Sequence, residues 1–88
     1  GLVGSEMCIR DRNKIYLTNL GKSSVTYFEF KDCTAWDAES MLWTAENSFD
    51  LKANNAGTKI IQLYMMAGNE DAVDVWENKG YTVKGYMG

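Results

Sequence analysis

The sequence predicts a small α+β domain, a ββαβαβ two-layer sandwich with a four-stranded mixed sheet and two helices on one face. Three observations lead there. Two runs rich in β-branched and aromatic residues, 14–20 (KIYLTNL) and 25–30 (VTYFEF), stand on either side of Gly21-Lys22-Ser23-Ser24. A long stretch with helical periodicity, 34–57, comes next. Two further strand-like runs, 58–66 (TKIIQLYMM) and 81–86 (YTVKGY), then flank a second helical stretch, 70–79 (EDAVDVWENK).

The first two runs read as a β-hairpin, because four turn-prone residues between alternating segments favour an antiparallel return. In the first helical stretch Ala38, Leu42, Ala45 and Phe49 recur at steps of 4, 3 and 4 and make one stripe, which Met41 and Leu51 can widen. Asp37, Glu39, Glu46 and Asp50 occupy the other side. Thr34 with Asp37 is a weak capping pair, and Asn54, Asn55 and Gly57 supply a helix stop. About 19 helical residues would span about 28 Å, against about 20 Å for a six-residue strand. Such a helix must overhang its sheet or break, and Asn47-Ser48, two poor helix formers in succession, is the expected break.

The third strand is bounded by Gly57 and Gly68. Asn69 can cap the second helix, Glu70 and Asp71 favour its positive end, and Ala72, Val73 and Trp76 form its buried stripe. Lys79-Gly80 stops it ahead of the fourth strand. Strands joined through helices should be parallel with right-handed crossovers, so strands two, three and four are expected parallel and strand one antiparallel to strand two. With both helices on one side, the other sheet face is bare.

Composition narrows the function. At 88 residues, 45% hydrophobic and 24% charged, the chain is one globular domain rather than a disordered segment. No apolar run reaches the length of a membrane span. A net charge of −3 argues against a duplex-DNA binder, which would carry a basic patch. Two cysteines, Cys8 and Cys33, are too few for a disulfide framework and point to a reducing, cytoplasmic setting. There is no histidine, which closes the common catalytic triads and many metal sites, and no nucleotide, hydrolase or zinc motif is present.

Residues 1–12, GLVGSEMCIRDR, resemble a translated sequencing-adaptor stretch, with VGSEMCIRDR the distinctive part. The resemblance implies that this segment, with Cys8 and both arginines, is not part of the natural protein and that the gene extends upstream. Residues 13–88 then form the domain, as a whole protein or as part of a longer one. They hold seven lysines, ten acidic residues and no arginine. Lysine without arginine, together with abundant asparagine, suggests an AT-rich genome, as of a phage or a marine bacterium.

Alternation assigns the two sheet faces. Ile15, Leu17, Phe28, Phe30, Ile61, Leu63, Met65, Tyr81 and Val83 are expected to face the helices. The other parity places Tyr16, Tyr27, Tyr64 and Tyr86, one per strand, on the bare face with Thr18, Val25, Glu29, Gln62, Thr82 and Lys84. Such a face suits a protein partner or a second copy, since tyrosine is enriched at interfaces. It also suits stacking of single-stranded nucleic acid or a flat ligand, or simple cross-strand stabilisation. Trp36 and Trp43, seven apart on the first helix, flank its stripe and are either core-edge packing or an aromatic strip for a partner. Cys33 precedes the first helix, where a dipole can activate a thiol, but it lacks a histidine base, and a buried structural cysteine is the plainer reading. Glu70, Asp71 and Asp74 are explained by the helix dipole and lack a metal-loop pattern.

The reading is therefore a non-catalytic interaction or accessory module with no cofactor and no metal. Its binding residues are Tyr16, Tyr27, Tyr64, Lys84 and Tyr86, with Trp36 and Trp43 as a second surface. The alternative is a binder of single-stranded nucleic acid or a small ligand through the same face.

Overall fold

A computed structural model describes residues 14–30, 36–63 and 69–85. The elements run β1 (Tyr27–Glu29), α1 (Ala38–Glu46), β2 (Ile60–Gln62), α2 (Glu70–Asn78) and β3 (Thr82–Lys84). Among the described residues the sheet has three strands in the order β1-β2-β3. Both pairings are parallel, with Tyr27 beside Ile60 beside Thr82, Phe28 beside Ile61 beside Val83, and Glu29 beside Gln62 beside Lys84. The α+β class and the two helices agree with the sequence, whereas the four-stranded mixed sheet does not.

The difference lies in residues 14–21. They do not pair with β1; residues 14–17 run as a strap along α1, and residues 18–21 bend and turn at its end. The Ile15 N–H donates to Ser40 Oγ at 3.2 Å and the Leu17 N–H to Thr44 Oγ1 at 3.1 Å. The Ile15 carbonyl accepts from Trp36 Nε1 at 2.9 Å and from Thr44 Oγ1 at 3.3 Å. Farther on, the Asn19 N–H donates to the Asn47 carbonyl at 3.0 Å and the Phe49 N–H to the Leu20 carbonyl at 2.8 Å. An extended segment needs partners for its backbone groups, and those partners need not be another strand. Here two hydroxyls four residues apart on a helix serve instead.

These hydroxyls explain why α1 turns a different side inward than its apolar stripe suggests. Its buried residues are Ser40, Met41, Thr44 and Ala45, while Ala38 is exposed and Leu42 and Phe49 are half-buried. Ser48, just past the helix, continues the row: its hydroxyl donates to the Thr44 carbonyl at 2.7 Å and accepts from Trp76 Nε1 at 2.9 Å. Ser40, Thr44 and Ser48 each connect α1 to a neighbouring segment.

The helix begins at Asp37 rather than Thr34, which lies outside the described residues. Asp37 Oδ1 accepts the Ser40 N–H at 2.8 Å, the usual cap geometry. It ends at Asn47, at the expected break, and residues 51–55 form turns. The Asp37 carboxyl is held down to about 2 from an ordinary 3.8, first by the Ser40 hydroxyl, then by the Ser40 N–H, with a smaller part from Lys14. A folded pKa below the unfolded one means that the stabilisation is complete above about 3.8 and is lost as pH falls through about 2. Asp37→Asn keeps a capping oxygen without a titrating charge. Denaturant melts between those two pH values are expected to show a shallower loss of stability in the variant than in the native chain. Equal slopes would show that Asp37 contributes nothing there.

α2 buries Ala72, Val73 and Trp76 as its sequence implies, and Asn69 stands at its N-cap position, but the Asn69 side chain makes no capping hydrogen bond. It closes with the Gly80 N–H on the Glu77 carbonyl at 3.1 Å and the Tyr81 N–H on the Trp76 carbonyl at 3.0 Å, Gly80 adopting φ +105°. Lys79 then donates to the Glu46 and Ser48 carbonyls at 2.6 and 2.9 Å, placing a cation at the negative end of α1. Burial nonetheless lowers the Lys79 pKa, opposed by Asp50 and Glu46.

The buried parts of both helices, the strap residues Ile15 and Leu20, and the strand residues Phe28, Ile61 and Val83 with the flanking Phe30, Leu63 and Tyr81 form one core. The helices therefore cover a single face of the sheet. Trp36 joins the layers, with ring centroids 5.1 Å from Phe30 and 6.4 Å from Trp76. At the strap's far end the Lys59 ammonium is buried and donates to the Gly21 carbonyl at 2.8 Å and to the Ser23 carbonyl. The Tyr81 hydroxyl lies 2.7 Å from the Leu20 carbonyl and 2.8 Å from the Phe49 carbonyl; burial, then the Asp50 charge, push its pKa up to about 12. Gly21 has φ +89°, and a Cβ there would land on that hydroxyl, so both conformation and space require glycine.

Candidate protein interface

The uncovered sheet face is built by the residues that alternate with the core set. Tyr27, Ile60 and Thr82 form one row across the three strands, and Glu29, Gln62 and Lys84 form the next. Tyr27 is 43% exposed on β1, Ile60 and Gln62 are half-buried on the central strand, and Thr82 and Lys84 are exposed on β3. Thr58 extends the face at its lower end, its hydroxyl 3.2 Å from that of Thr82 and donating to the Gly80 carbonyl at 2.8 Å. The Gln62 side chain is oriented by donating to the Leu63 carbonyl at 3.0 Å.

Of the binding residues expected from sequence, Tyr27 and Lys84 lie on this face, at opposite edges and one row apart. Tyr64 and Tyr86 lie outside the described residues, as does Cys33. Tyr16 is elsewhere. Carried by the strap, it packs edge-on against Trp43 of α1, with ring centroids 5.2 Å apart and planes at 87°. The physical reason is the one that removes the first strand: the strap follows α1, so its outward side chains meet the helix surface and not the sheet. The tyrosine platform is therefore not assembled by Tyr16 and Tyr27.

The two tryptophans also divide. Trp36 is 2% exposed and belongs to the core, its indole N–H satisfied by the strap, so it offers no partner surface. Trp43 is half-buried beneath Tyr16, which is 47% exposed. Beside Tyr16 runs a groove of about 560 Å³, lined by strap and turn residues including Leu17, Asn19 and Lys22 and by Phe28 of β1.

Among the described residues, no three acidic, cysteine or histidine side chains gather as a metal-holding group, and Glu70 and Asp71 lie in the first turn of α2. No described helix is long and apolar enough to cross a membrane. The chain matches no family model, no curated protein and no solved structure.

Proposed function

We propose that this chain is a non-catalytic protein-interaction module that docks its partner on the uncovered face of the parallel sheet. The observation that supports this is the sheet itself. All-parallel sheets occur almost only with both faces covered, because their crossover connections place helices over them. Here both crossovers lie on one side, and the other side presents Tyr27 and the half-buried Ile60 of the central strand. An aromatic ring beside an aliphatic side chain, bordered by Glu29, Gln62, Thr82 and Lys84, has the apolar centre and polar rim of a modest interface.

Site-specific photocross-linking tests the reading. A benzophenone amino acid at Tyr27 is expected to capture protein in cells that express the chain, whereas the same group at the exposed Glu77 of α2 is not. Equal capture at both positions, or none at Tyr27, would remove the open face as the interaction surface.

A further inference from the structure

We infer that the partner on the open face is a second copy of this chain, related by a twofold axis running parallel to β2. The inference rests on the open face being the interaction surface, and it comes from how charge and volume are distributed there. In the row Glu29–Gln62–Lys84 the anion is on one edge strand, the cation on the other, and a neutral amide is in the centre. With neighbouring strands about 4.8 Å apart, the two charged positions are separated by about 10 Å across the row. A twofold axis along β2 exchanges the two edges when one sheet is laid on another. It therefore sets each Glu29 opposite the Lys84 of the other copy, twice, and sets Gln62 opposite Gln62.

The neighbouring row agrees. The same operation places the large Tyr27 opposite the small Thr82 in both halves and Ile60 opposite Ile60, so bulk meets space and apolar meets apolar. An in-plane axis perpendicular to the strands does neither: it sets Glu29 over Tyr27 and Lys84 over Thr82, and pairs no opposite charges. Two twisted sheets stacked about 10 Å apart with their strands roughly aligned are a standard packing, and self-complementarity of one patch is what an isologous dimer requires. The pairing depends on where the Glu29 charge sits and not on that side chain being free of contacts within its own chain. The net charge of −3 opposes association only weakly at physiological salt, where exposed charges beyond about 8 Å are screened. Six side chains make a patch smaller than the ~800 Å² per partner of a standard interface, so the dimer is weak and forms at high protein concentration.

Sedimentation equilibrium over a wide concentration range tests this, with circular dichroism checking the fold of each variant. The native chain should rise from 9.9 kDa toward twice that mass. Glu29→Lys alone gives a face with two cations and Lys84→Glu alone a face with two carboxylates, so each should self-associate at least about tenfold more weakly. A one-to-one mixture of the two variants restores both opposite-charge pairs and should associate as tightly as the native chain, as should the double variant with both changes. Variants that had lost their fold could not rescue each other in this way. A native chain that stays monomeric throughout would overturn the second copy as partner, and a mixture no better than either single variant would overturn the twofold arrangement. If cross-linking at Tyr27 still captures a different protein, the interaction reading survives that failure; if it does not, both fall.

Discussion

Replacing Trp76 by alanine is expected to cost about 3–5 kcal/mol, the range for removing a large buried aromatic side chain. A chain of this length should have only about 4–13 kcal/mol in total, so the change should remove about a quarter or more of its stability. Trp76 is fully buried, touches Trp36 with ring centroids 6.4 Å apart, and donates its indole N–H to Ser48 at 2.9 Å. It thus joins α2 to the row of hydroxyls on α1 and to the tryptophan that bridges toward β1. Trp76→Phe keeps much of the apolar volume while removing the donor, and should lose less than the alanine variant. Urea melts followed by circular dichroism would order the three proteins as native, phenylalanine, alanine; an alanine variant within about 0.5 kcal/mol of native, the range of an ordinary surface change, would show that this is not the centre of the core.

Thr44→Val should cost about 1–3 kcal/mol although it changes almost no volume. The hydroxyl accepts the Leu17 N–H and lies 3.3 Å from the Ile15 carbonyl, and Thr44 is completely buried. Valine leaves the Leu17 N–H without that acceptor in a partly buried setting, and an unmade buried hydrogen bond costs more than a made one gains. Thr44→Ser retains the oxygen and should restore most of the loss apart from its missing methyl group. The pair separates two accounts of residues 14–21. If they formed the outer strand of a hairpin, Thr44 would be an ordinary helix position, and valine and serine would rank by burial alone, valine ahead.

What could be read from the sequence follows from which signals are local. α2 was legible because its acidic first turn, its Ala72/Val73/Trp76 stripe and its Lys79-Gly80 stop all lie within one segment, although the Asn69 side chain does not cap it. The helix-facing positions Phe28, Phe30, Ile61, Leu63, Tyr81 and Val83 were legible because alternation reports directly which side chains are buried. Alternation does not report what the backbone bonds to. Residues 14–20 alternate well, yet the Ile15 and Leu17 N–H groups bond to hydroxyls 25 and 27 positions away in sequence. The spacing Ser40, Thr44, Ser48 was the available clue, three hydroxyls at helical repeat, but a scale of apolarity assigns such residues to the surface. That one misassignment accounts for both site corrections: Tyr16 follows the strap to Trp43, and Trp36 is drawn inward by the Ile15 carbonyl. Tyr27 and Lys84 depended only on strand parity, and they are on the open face.

The claim that a second copy occupies that face is tested most directly by recording amide chemical shifts of the native chain during dilution. Concentration-dependent shifts are expected at Tyr27, Ile60, Gln62, Thr82 and Lys84, with Glu39 on α1 and Glu77 on α2 unmoved. Shifts confined to Tyr16, Trp43 and the adjoining groove, with the sheet residues constant, would contradict it.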